Sequence, residues 1–73
     1  MTKPLEELVF LVEESAEGGF TARALGVSIV TEADSLEMLR QQVVDAVRCH
    51  FEDISHQPRL IRFHLVKDEV FAL

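Results

Sequence analysis

A chain of 73 residues that is 48% hydrophobic is long enough for one domain and too apolar for disorder. Its formal net charge of −6 disfavours general binding to nucleic acid and favours a basic protein as partner. One cysteine, Cys49, leaves no internal disulfide and fits a reducing cytoplasm, and the longest apolar run, Leu8 to Val12, is far short of the ~20 residues a membrane helix needs.

The start, Met1 to Glu7, carries no signal-peptide apolar region before its acidic pair, so a soluble cytoplasmic protein is expected. Leu8 to Val12 then reads as a strand apolar on both faces. Glu13 to Gly19 is polar, ends in two glycines and reads as a hairpin loop. Phe20 to Leu25 alternates, with Phe20, Ala22 and Ala24 on one face and Thr21 and Arg23 on the other. Gly26 turns the chain, and the β-branched run Val27 to Thr31 reads as a third strand.

Asp34 with Glu37 has the spacing of a capping box, and a helix is expected from there to about Glu52. Leu36, Leu39, Val43, Val47 and His50 follow a 3.6-residue period, with Ala46 and Phe51 at its edges. Asp53 to Pro58 reads as a loop and Arg59 to Val66 as a strand, with Ile61, Phe63 and Leu65 opposite Arg62 and His64. Lys67-Asp68-Glu69 reads as a turn or bulge, and Val70 to Leu73 as a further short strand. The expected fold is therefore α+β in one domain over residues 1–73. It has a three-stranded antiparallel meander, one helix, then one or two more strands of an antiparallel sheet, in the order β-β-β-α-β.

Candidate chemistry is sparse. Cys49, His50, His56 and His64 lack the spaced pairs of a zinc site, because Cys49 and His50 are adjacent and diverge by ~100° on a helix. A Cys49/His64 nucleophilic pair needs a base within reach and an oxyanion hole, and the sequence suggests neither. Gly18-Gly19 lacks the Lys-Ser/Thr of a phosphate loop, and no carboxylate pair marks a general acid and base. No catalytic residue, metal or cofactor is expected, and the chain is read as a non-enzyme. Arg59, Arg62 and Lys67 lie near the last strand, where they read as protection of a sheet edge before they read as a nucleic-acid contact.

One helix covers only one face of a sheet, yet the apolar content is high. Val9, Leu11, Val27, Val70 and Phe71 are the candidate residues for self-association, with a homodimer or higher homo-oligomer expected.

Three features together resemble the HicB-like antitoxin domain, a family of short proteins. They are the apolar strand and acidic loop ending in Glu17-Gly18-Gly19-Phe20, the alternating strand that follows, and Glu32-Ala33-Asp34-Ser35-Leu36-Glu37 leading into a helix with Val43, Ala46 and Val47. The likeness spans Phe10 to Phe51. Where the family often has Pro and Gly-Cys between its second and third strands, this chain has Ala24-Leu25-Gly26-Val27-Ser28. The sequence stops at Leu73, before the DNA-binding part common in full antitoxins, so operator binding is not expected. The resemblance implies a partly formed ribonuclease-H-like fold, dimers or tetramers, and masking of a small basic RNA-cleaving toxin. The alternative is a self-associating structural or regulatory domain with a small ligand between subunits.

Overall fold

The computed structural model describes residues 6–73; the leader-free reading of the start falls largely on residues 1–5, outside the described part. Four strands and one helix follow in the order β1 (Glu7–Glu14), β2 (Phe20–Ala24), β3 (Val30–Ala33), α1 (Leu36–His50) and β4 (Leu60–Val66). This is the expected β-β-β-α-β order of an α+β fold.

The sheet has the strand order β3-β2-β1-β4. β1, β2 and β3 form the antiparallel meander. β4 joins the far side of β1 in parallel, with Leu8 opposite Ile61, Phe10 opposite Phe63 and Val12 opposite Leu65. The sheet is therefore mixed and not wholly antiparallel. The reason is the crossover. β3 and β1 run the same way, and α1 returns the chain along the sheet, so the next strand starts again at the end where β1 starts.

Alternation sets the two faces. Leu8, Phe10 and Val12 of β1, Ala22 and Ala24 of β2, and Leu39, Val43 and Val47 of α1 form one buried core, completed by Ile29 from the loop before β3. Ile61, Phe63 and Leu36 are half-buried against it. Phe10 and Phe63 meet edge to face with ring centres 6.2 Å apart. Val9 and Leu11 point to the opposite face, which no helix covers among the described residues.

Several boundaries differ from the sequence reading. β1 runs on through Glu13 and Glu14, because Thr21 and Phe20 of β2 are there to pair with them. The hairpin loop is tied by Ser15 N–H donating to the Gly19 carbonyl at 2.9 Å. Gly19 has φ +87°, and a Cβ there would sit 3.1 Å from the Ala33 carbonyl oxygen, so both conformation and space require glycine. β3 begins at Val30, three residues late. Ala24 N–H donates to the Ile29 carbonyl, which spends Val27 to Ile29 on the turn while still burying Ile29.

The helix cap also differs. Ser35, not Asp34, is the N-cap, its Oγ accepting from Met38 N–H at 3.2 Å, and the helix ends at His50. His50 is exposed and lies beyond the buried stripe, its ring 4.8 Å from that of Phe51. The loop 53–58 holds a short 3-10 turn capped by Asp53. Lys67–Glu69 forms no turn and Val70–Leu73 no strand. Among the described residues these seven pair with no strand.

Candidate functional site

Three surfaces stand out: an acidic end, a bare sheet face and an apolar groove.

The hairpin loop after β1, the end of β3 and the start of α1 converge at one end of the sheet, because Glu14 pairs with Phe20 and Phe20 with Ala33. Glu17, Glu32 and Asp34 thereby line one cleft of about 490 Å³, with Thr21, Met38 and Gln42 on its walls. Glu13 and Glu14 precede Ser15 of that cleft and Glu37 precedes its Met38, and all three are exposed. Among the described residues none of these six carboxylates forms an ion pair; the pairs are Glu7 with Arg62 and Asp53 with His56. Like charges so placed repel one another and draw in a cation or a cationic surface.

The bare face carries Val9 and Leu11 of β1, Arg23 of β2, Val30 of β3, and Leu60, Arg62, His64 and Val66 of β4, as the strand register dictates. Glu7 and Arg62 form an ion pair across β1 and β4, with Arg62 Nη2 also donating to Glu7 Oε2 at 3.3 Å. The Arg62 hydrogen bond holds the Glu7 carboxyl below its ordinary pKa, and Glu7 in turn raises that of Arg62.

The groove lies between α1 and β4 and encloses about 400 Å³. Ile61, Phe63 and Leu65 form its floor, and Leu36, Arg40, Val43 and Val44 its wall. Leu36, Arg40 and Val44 are spaced i, i+4, i+8 and so make one row along the helix. The sequence reading missed Val44; a second valine beside Val43 was the available signal for a wider apolar stripe.

The structure separates most of the residues considered for chemistry. Cys49 is exposed on α1, whereas His64 sits on the face away from the helix, so the sheet stands between them. Among the described residues no three His, Cys, Asp or Glu side chains are grouped to hold a metal. Arg59 precedes β4 and Lys67 follows it, so they stand roughly 25 Å apart at ~3.3 Å per residue and make no patch. Of the self-association candidates, Val9 and Leu11 share the bare face, Val27 is half-buried against the core, and Val70 and Phe71 lie exposed beyond β4.

A protein of Archaeoglobus fulgidus called UPF0150 protein is 52% identical over 59 residues, which cover 81% of this chain and 86% of that one. The chain belongs to the UPF0150 family. A UPF0150 protein of Thermotoga maritima is 35% identical over 68 residues, 93% of this chain and 94% of its own. No family model and no solved structure matches this UPF0150 chain. The likeness to both relatives thus covers most of the chain. Among the described residues no helix is long and apolar enough to cross a membrane.

Proposed function

We propose that this UPF0150 protein is a small non-enzymatic protein-interaction module of the HicB-like antitoxin kind, which masks a small basic RNA-cleaving toxin in the cytoplasm. The observation that carries the reading is the acidic end. Glu13, Glu14, Glu17, Glu32, Asp34 and Glu37 are gathered there by the fold and left without cationic partners among the described residues. Such a surface complements a basic protein, raises its rate of encounter and repels nucleic acid. The resemblance to the HicB-like family over Phe10 to Phe51 is what points to a toxin as the partner class. The exposed thiol of Cys49 fits a reducing compartment.

Catalysis draws no support from the interior. Among the described residues no polar or charged residue is buried as a whole, and the buried Thr31 hydroxyl has no hydrogen-bond partner, so no base stands within reach to activate it.

The test is a titration of the chain against any small basic protein that a neighbouring gene encodes, by calorimetry at 50 and 300 mM salt. Binding is expected, weaker at high salt, and at least tenfold weaker for the Glu17→Lys/Glu32→Lys/Asp34→Lys variant. All three positions are exposed or line the open cleft, so circular dichroism of that variant should match the parent. Affinity indifferent to both salt and charge reversal would overturn the reading.

A further inference from the structure

Residues 67–73 follow β4 without strand or turn. Val70 is 95% and Phe71 77% exposed, and Leu73 is fully exposed. Three large apolar side chains thus stand in water on one short segment. Beside them β4 is the outermost strand in the order β3-β2-β1-β4. Its seven residues present, away from β1, a row of backbone groups with no strand partner among the described residues. An open edge of that length invites another strand. On the helix side the same edge opens into the groove floored by Ile61, Phe63 and Leu65.

We propose that residues 67–73 of a second copy of this chain occupy that edge and groove, and that the exchange is reciprocal about a twofold axis at Lys67. The inference does not rest on toxin masking; the assembly is read with no other protein present, so either account can fail alone.

Alternation fixes the register. Residues directly opposed in an antiparallel pair share a face of the sheet, and each strand changes face at every residue. Phe71 of the second copy enters the groove if it opposes Phe63. Leu73 of that copy then opposes Ile61, and Val70 opposes His64 on the bare face. The same count brings Lys67 opposite Lys67 of the second copy, with Glu69 on the diagonal to compensate the like charge. One register therefore serves both copies, as a twofold contact requires. A slip by one residue would turn Phe71 and Leu73 out of the groove and leave Ala72 opposite Ile61.

The segment does not serve its own chain in this way. Folding back onto its own β4 needs a tight reversal at 67–69, where Asp68 alone favours a turn and no glycine or asparagine supplies the positive φ of a two-residue hairpin loop. Residues 67–69 form no turn, so the reversal is not made. Exchange of an identical segment between copies needs no reversal, and it adds buried apolar surface to a core of nine residues.

Two measurements on the full chain test the proposal. Sedimentation at 5–50 µM should give twice the chain mass of 8.3 kDa for the parent and the single mass for a folded Phe71→Asp variant. A monomeric parent overturns the proposal, and so does a Phe71→Asp variant that dimerises as the parent does. Should Phe71→Asp fail to fold, a second variant decides. In Cys49→Ser/His64→Cys/Val70→Cys the two new thiols oppose one another only between copies, and opposed residues of an antiparallel pair lie within disulfide reach. Oxidation should give a covalent dimer on a non-reducing gel. A bond within one chain, or none, overturns the proposal.

Discussion

Thr31 offers a substitution that should stabilise the protein. It lies in β3 opposite Ala22, so it shares the helix-covered face, and its Oγ1 is buried with no hydrogen-bond partner among the described residues. Leaving a buried hydroxyl unsatisfied costs about 1–3 kcal/mol. Thr31→Val replaces the hydroxyl with a methyl of nearly the same shape and keeps a β-branched residue in a strand. A newly buried methyl adds up to ~0.8 kcal/mol. Thr31 is only half-buried, so the net gain expected is about 1 kcal/mol, the low end of the range. At ~2.1 cal/mol/K per residue, 73 residues give an unfolding entropy of ~0.15 kcal/mol/K, and the gain raises Tm by about 6–7 °C. The chain has no Trp or Tyr, so far-UV circular dichroism should follow urea and thermal unfolding. Parent and variant are compared at one protein concentration, since self-association would shift both curves. The control Thr31→Ser keeps the hydroxyl, loses the methyl and should be less stable than the parent. A loss of ~1 kcal/mol or more for Thr31→Val would refute the reasoning, because it would mean that the hydroxyl is bonded.

Leu39→Ala removes a fully buried side chain from the first turn of α1 and should cost about 2–5 kcal/mol in urea unfolding. A domain of this length has only ~4–11 kcal/mol in all, so the variant should be partly unfolded well below the parent midpoint. Ser35→Ala should cost about 1 kcal/mol, and Ser35→Asp much less, because the carboxylate can still accept from Met38 N–H. Glu7 has its pKa lowered in the fold by the hydrogen bond from Arg62, so its contribution is complete above pH 4.5 and is lost as pH falls through the folded value. Asp53, lowered by its bonds from Ser55, acts with the same sign. Urea midpoints from pH 6 to pH 3 should therefore fall less for Glu7→Gln than for the parent.

The helix was legible because its signals are local: a capping-box spacing at Asp34 and Glu37, a 3.6-residue stripe through Leu39, Val43 and Val47, and a length to match. The cap was misplaced by one residue, to Asp34 instead of Ser35, since both are good acceptors and the choice turns on backbone angles. β2 was legible from Phe20 to Ala24 by alternation alone. β3 was displaced because β-branched Val27 and Ile29 suit a strand by composition, yet the turn from Gly26 consumes them. The parallel pairing of β4 with β1 is a long-range choice. The alternation of Ile61, Phe63 and Leu65 says which face they share but not which strand lies beside them or which way it runs. The acidic end was legible only as a list of carboxylates. Glu32 and Asp34 are distant from Glu17 in sequence, and hairpin register alone brings them together. Val70 and Phe71 were legible as excess apolar residues, whereas the groove beside β4 needs the crossing of α1 over the sheet to exist.

The most direct test of the account is affinity capture of native partners from the source cell, with this chain as bait under native salt. The account predicts one small basic protein recovered in near-stoichiometric amount, and absent when Glu17, Glu32 and Asp34 are reversed in charge. Repeated recovery of nothing but the chain itself would contradict it.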